Sequence, residues 1–243
     1  MGNRDLPITR KRGIFINATI ISVVTFICLL IQKYMLPYSQ SIFREEMLDS
    51  VGFIIVLSGQ YLRICARGHK SKKNIYKDNL ITSGPYALVR NPMYLGSFFI
   101  GFGMSILLFR LWVMPVYITM FSLWYWHQIY DEQKRLKEKF DQQYIDYCKQ
   151  TPCFFPSVYT LITLRFVNYI PFRSNWVKKE LDTILTWSAI LILVEGYEDI
   201  ICFSLRMFSV ELFFFLLITS FFIALIYFLN KKLNTVSFKR YAT

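Results

Sequence analysis

The sequence predicts an all-α integral membrane protein of about six transmembrane helices, with a tight hairpin between spans three and four and a helical extension on the cytoplasmic side. Three observations carry that reading. Of 243 residues, 54% are hydrophobic and only 18% charged, whereas soluble domains average about 25% charged. The apolar residues fall in long runs, and the cations collect on alternate connections between those runs.

Four runs are free of charge for 18 to 20 residues: Ile14–Ile31, Asn91–Phe109, Leu111–Tyr130 and Leu212–Asn230. At about 1.5 Å per helical residue, each roughly matches the ~30 Å hydrocarbon layer. Arg10, Lys11 and Arg12 precede the first run. It exceeds the ~7–15 residues of a signal-peptide core and lacks a small-residue cleavage site, so it reads as a retained span. Two further runs complete the six. Met47–Ala66 holds Asp49 near one end and Arg63 near the other, and Thr183–Leu205 carries Glu195, Glu198 and Asp199 in its second half. Intramembrane acids are costly and often functional; here they equally fit a fifth span that ends early.

With this arrangement, 24 of the 28 Lys and Arg residues lie on the side of the N-terminus. The opposite side keeps Lys33, Arg44, Arg110 and Arg206. Such a bias places both termini in the cytoplasm, in a bacterial inner membrane or an endoplasmic reticulum membrane. The net charge of +12 then reflects topology and attraction to anionic lipid headgroups rather than nucleic-acid binding. Five cysteines without a CxxC pair, and only His69 and His127, argue against a metal centre. No repeat or linker divides residues 1–243, which read as one polytopic domain with a core at 78–156 and an added helical pair at 183–230.

Only Arg110 separates spans three and four, so they form an antiparallel hairpin. After Tyr130 the sequence DEQKRLKEKFDQQYIDYCKQ lacks Gly and Pro, which predicts one helix from Leu111 to about Cys148, half of it beyond the bilayer. On that extension Glu132, Leu136, Phe140 and Tyr144 recur every four residues, with Tyr147 nearby. They form one stripe, and Lys134, Lys137 and Asp141 occupy the solvated face. The stripe is expected to cover Leu80–Asn91. Between Pro156 and Pro171, Val158–Ile170 is too short to span and is expected to lie along the interface.

The run LITSGPYALVRNPMYLG, Leu80–Gly96, is the most informative segment. Gly84-Pro85 favours a turn, and Asn91-Pro92 keeps Asn91 out of the helix that Pro92 begins. Free N–H groups at such a helix start favour an anion, and Arg90 adds a bidentate donor for carboxylate or phosphate. Glu132 offers an acceptor for hydroxyls or an amine, and Tyr86 and Tyr94 offer faces that attract a cation.

These residues resemble the isoprenylcysteine carboxyl methyltransferase family and its wider relatives among phospholipid methyltransferases. The family pattern L-V-T-S-G-x-Y-x-x-x-R-[HN]-P-x-Y-x-G is met by Leu80, Thr82, Ser83, Gly84, Tyr86, Arg90, Asn91, Pro92, Tyr94 and Gly96. The later pattern E-E-x-x-L-x-x-x-F-G-x-x-Y-x-x-Y, with a following Pro, is met by Glu132, Leu136, Phe140, Tyr144, Tyr147 and Pro156. The resemblance covers about a third of the chain. It implies a membrane methyltransferase whose cofactor, S-adenosylmethionine, sits in a cytoplasmic pocket and whose lipid or lipidated acceptor enters from the bilayer. It further implies Arg90 orienting an acceptor carboxylate or phosphate, and Glu132 binding the cofactor. The cofactor wall would comprise Leu80, Ile81, Thr82, Gly84, Tyr86, Asn91, Pro92, Tyr94 and Gln133. Three positions depart from the pattern: Gln133 replaces the second glutamate, Asp78 stands where relatives often carry histidine, and Asp141 replaces a glycine, a change expected to be tolerated on a helix. Two other readings compete: a sterol-reductase-like enzyme using NADPH, and a transporter or scaffold without catalysis.

Overall fold

The computed structural model describes residues 42–73, 79–109, 111–157, 159, 169–202 and 205–240. Among these the chain is helical, with no strand. Six α-helices follow one another: α1 (Ile42–Lys73), the single turn α2 (Pro85–Leu88), α3 (Pro92–Leu108), α4 (Val113–Gln150), α5 (Leu181–Cys202) and α6 (Leu205–Arg240). A 3-10 segment, Ser174–Lys179, precedes α5. By length and composition, one described helix, Met47–Lys73, suffices to cross a membrane. Pro92–Leu108, Leu181–Val194 and Leu212–Phe228 are shorter apolar helices. The expected first span, Ile14–Ile31, the Arg110 link and most of Val158–Ile170 lie outside the described residues, as do the side chains of Glu195, Glu198 and Asp199.

α1 and α3 form the centre of the fold, and their sequences show why. Gly52 and Gly59 lie seven residues apart on α1, as do Gly96 and Gly103 on α3. The two pairs meet where the helices cross. A Cβ on Gly59 would stand 2.6 Å from the Gly96 carbonyl oxygen, and one on Gly103 would stand 2.5 Å from that of Gly52. Removing the side chains lets the two backbones touch, as small residues do between membrane helices. Around this seam Leu62, Cys65, Leu88, Val89, Leu95 and Ile170 form a buried cluster, flanked by Tyr61, Phe99, Phe154 and Phe172. Leu88 and Val89 therefore anchor the loop before α3 against α1, which fixes the loop's polar residues in place.

α1 runs two turns past the apolar segment Met47–Ala66, and Lys70, Lys72 and Lys73 occupy its last turn. Cations there complement the negative end of the helix dipole. α3 and α4 lie against each other in opposite directions. Phe98 meets Tyr117 and Phe121 while Tyr94, one turn earlier, meets Tyr125. The tyrosine Tyr117 donates its hydroxyl to the Phe98 carbonyl at 3.0 Å. The outer surface of α4 leaves Met120, Leu123 and Trp126 exposed, and α6 does the same with Phe213, Phe221 and Tyr227. In a chain this apolar, such faces suit lipid.

One expectation needs correction and two are narrowed. Asp141 does not sit on a regular helix: its φ of 40° and ψ of −115° kink α4 there. That backbone conformation favours glycine, because a Cβ crowds the neighbouring carbonyls at positive φ. The last nine residues of α4 thus turn onto the loop. The apolar run expected from Leu212 is found, as Leu212–Phe228, within the longer helix α6, since the stretch from Leu205 contains no Gly or Pro to break it. Of the two readings of the fifth span, the structure fits the one that ends early: its apolar part is Leu181–Val194, immediately before Glu195.

Candidate functional site

The loop at 79–91, the start of α3, the outer half of α4 and the end of α1 converge on one region. Gly84, at φ 64°, caps the turn α2 in a conformation that glycine adopts without strain. A Cβ there would also stand 2.7 Å from His69 Cε1, so the imidazole of α1 lies directly over the loop backbone. His69 Nε2 lies 3.1 Å from Ser83 Oγ. Leu80 and Ile81 are half-buried, and Thr82 and Ser83 are exposed.

The loop is then pinned to the kinked end of α4. The Tyr147 hydroxyl donates to the Tyr86 carbonyl at 2.6 Å. The Arg90 N–H donates to the Pro152 carbonyl at 2.9 Å, and its guanidinium donates from Nη1 to Cys148 Sγ at 2.8 Å. The buried Arg90 Nε has no hydrogen-bond partner. Asn91 leaves the helix cap unserved and instead donates from Nδ2 to the Cys153 carbonyl at 3.0 Å. Pro92, fully buried, opens α3, where its missing N–H costs nothing.

Glu132 forms the opposite wall. Its Oε2 accepts from the Tyr94 hydroxyl at 3.1 Å, and its Oε1 lies 3.7 Å from Lys70 Nζ. Gln133, its neighbour, turns away: Nε2 donates to Cys153 Sγ at 3.1 Å. Arg90 and Glu132 thus hold different partners, Arg90 at the Cys148 end of the site and Glu132 at the α1 end.

Burial pushes the Tyr86 phenol well above its usual range, and the charge of Glu132 adds to the effect, followed by Tyr147 and Tyr94. Burial likewise raises Tyr147 and takes Tyr144 up to about 12. Burial alone would lower Arg90, but Cys148, Cys153 and Tyr144 outweigh it and the net direction is upward. Near neutral pH the site therefore presents phenols as donors and Arg90 as a fixed cation.

Residues 47–143 match the family model for phospholipid methyltransferase. Over these residues the chain is similar to phospholipid methyltransferases and to proteins named protein-S-isoprenylcysteine O-methyltransferase. The match starts within α1 and ends just past the Asp141 kink, so the matched region includes the helix that supplies His69 and Lys70. Among its relatives, a protein-S-isoprenylcysteine O-methyltransferase of Tribolium castaneum is 28% identical over 54% of this chain and 49% of its own length. One from Saccharomyces cerevisiae is 30% identical over 49% of this chain and 54% of its own. A cobalt-zinc-cadmium resistance protein of Cupriavidus metallidurans is 34% identical over 38% of this chain and 41% of its own. The chain spans about half the length of the curated relatives it matches, or less. No solved structure matches it significantly.

Sequence reasoning missed three contributors to the candidate site and its support. His69 and Lys70 follow an apolar run, and extending that helix by two turns would have brought them to the loop. Cys148 and Cys153, both free, flank Arg90 and Asn91. Glu180 is fully buried, with its Oε2 3.0 Å from Arg63 Nε and its Oε1 2.9 Å from Arg67 Nη1. This last pairing spans more than a hundred residues and leaves no local pattern.

Proposed function

We propose that the protein is a multi-pass membrane methyltransferase that uses S-adenosylmethionine to methylate a carboxylate on a lipid or lipidated acceptor, such as a prenylcysteine. The observation that supports it best is the pairing of two unlike walls. Glu132 is an anion held in place by Tyr94 at 3.1 Å, and Arg90 is a cation whose buried Nε is still unpartnered. That donor set fits S-adenosylmethionine: Glu132 would hold its amine or ribose, the faces of Tyr86 and Tyr94 would border the sulfonium, and the loop backbone from Leu80 to Gly84 would border the rest.

Bound there, S-adenosylmethionine supplies a methyl carbon that an acceptor oxygen attacks in line, leaving S-adenosylhomocysteine. The side chains of this chain provide position and field rather than covalent chemistry. Arg90 orients the acceptor anion with its planar fork. A carboxylate needs no base, whereas an amine must first lose a proton. The phenols beside Arg90 are raised by burial and stay protonated, which favours O- over N-methylation. The cation bias of the sequence agrees with a site on the cytoplasmic side, with both termini there.

Methyl transfer from labelled S-adenosylmethionine to a farnesylcysteine analogue and to phosphatidylethanolamine, by protein reconstituted in nanodiscs, tests the reading. Transfer to the farnesylcysteine analogue alone is expected. Transfer to phosphatidylethanolamine alone overturns the carboxylate assignment, and failure to bind the methyl donor overturns the reading as a whole.

A further inference from the structure

We infer that Lys70 is a built-in competitor for the cofactor site, an ammonium on α1 that occupies Glu132 until a ligand's own ammonium replaces it. This rests on the methyltransferase reading above and adds to it a residue that tunes cofactor affinity.

The two oxygens of Glu132 are held differently. Oε2 accepts a 3.1 Å hydrogen bond from Tyr94, a neutral donor on the neighbouring helix. Oε1 faces Lys70 Nζ at 3.7 Å, an ion pair too long for a hydrogen bond. The Lys70 side chain is 45% exposed and that of Glu132 34% exposed, so water screens the pair and keeps it weak. Tyr94 therefore fixes the carboxylate while Lys70 merely neutralises it, and the oxygen facing Lys70 is the one a ligand can take.

The position of Lys70 is set by its neighbours. His69, the preceding residue, is seated over Gly84 and reaches Ser83. Three and seven residues before Lys70, Arg67 and Arg63 are clamped to buried Glu180. The end of α1 is thus anchored against the loop and against Glu180, while the four-carbon stem of Lys70 can swing. A ligand with an ammonium exchanges one cation for another at Glu132, which leaves the charge of the site unchanged. Lys70 then moves into solvent, where its hydration is restored.

The exchange sets an affinity cost that removal of Lys70 should abolish. Calorimetry with S-adenosylmethionine, and separately with S-adenosylhomocysteine, on nanodisc protein would compare wild type with Lys70→Met, Lys70→Arg, Glu132→Gln and the double variant. Lys70→Met is expected to bind both ligands about three- to five-fold tighter, the upper part of what an exposed ion pair supplies. Lys70→Arg should bind as wild type does. In the Glu132→Gln background, Lys70→Met should change nothing, which separates competition from a general change in fold. If wild type binds and Lys70→Met is unchanged or weaker, the competitor role is overturned while the methyltransferase reading stands. If wild type binds neither ligand, both are overturned.

Discussion

Glu180 Oε2 lies 3.0 Å from Arg63 Nε, with the carboxylate fully buried and its other oxygen 2.9 Å from Arg67. One anion at the start of α5 thus neutralises two cations on successive turns of α1. Arg63 also donates to Ser97 on α3 and, at 3.4 Å, to Thr183 on α5, so three helices meet at this guanidinium.

Removing one partner of a buried ion pair strands the other, at a cost of about 3–5 kcal/mol. Glu180→Ala leaves Arg63 without a counter-ion, whereas Arg67, about one-third exposed, keeps Asp182 at 3.6 Å, so a loss at the lower end of that range is expected. Thermal unfolding in detergent measures it. An unfolding midpoint equal to wild type would show that the clamp contributes nothing.

How much of this was legible in the sequence depends on the range over which each signal acts. Apolar runs and the absence of Gly and Pro are local, and they foretold α4 within two residues at either end. The four-residue stripe was also local, and two of its members, Tyr144 and Tyr147, are buried. Glu132 was visible as an isolated carboxylate on that stripe; its partner Lys70 was not, because the contact joins residues more than sixty positions apart. Asp141 was misread because residue identity alone suggested a solvated helix position, whereas the kink follows from the tertiary demand that the tyrosines return to the loop.

The glycine pairs lay in plain view with matching seven-residue spacings, but only the crossing shows that they face each other. Gly59→Ala would place a methyl 2.6 Å from the Gly96 carbonyl oxygen and 2.8 Å from the Ile100 nitrogen. Backbone cannot move aside as a side-chain tip can, so an overpacking cost of about 1–3 kcal/mol is expected. Because α1 carries His69 and Lys70, the same variant should also weaken cofactor binding. Parallel melting and binding measurements check both, and a Gly59→Ala protein as stable as wild type would contradict the seam.

At Asp141 a stabilising change is expected. Holding a non-glycine residue at φ 40° and ψ −115° costs of order 1–3 kcal/mol. Glycine forfeits about 0.5–1 kcal/mol of backbone entropy, so relief of strain wins. Asp141→Gly should gain about 1 kcal/mol and Asp141→Ala should gain nothing, since alanine keeps the Cβ. Melting midpoints of the two variants decide it: equal midpoints would mean that the kink is unstrained.

The two walls of the site should fail in different ways. Tyr94 donates to a charged carboxylate, a bond worth about 1.5–3 kcal/mol, so Tyr94→Phe should raise KM for the methyl donor about ten-fold while leaving KM for the acceptor near wild type. Arg90→Lys keeps the charge but loses the fork, and Lys cannot reproduce both the contact to Cys148 and a bidentate grip on an acceptor. Its main effect should fall on the acceptor: kcat/KM for a prenylcysteine analogue should drop about a hundred-fold, with binding of the methyl donor retained. Arg90→Ala should be no better than Arg90→Lys, because position and not charge alone is what the guanidinium supplies. Steady-state kinetics with each substrate varied in turn separates the two walls. If Arg90→Lys instead impaired binding of the methyl donor and spared the acceptor, the assignment of the walls would be reversed.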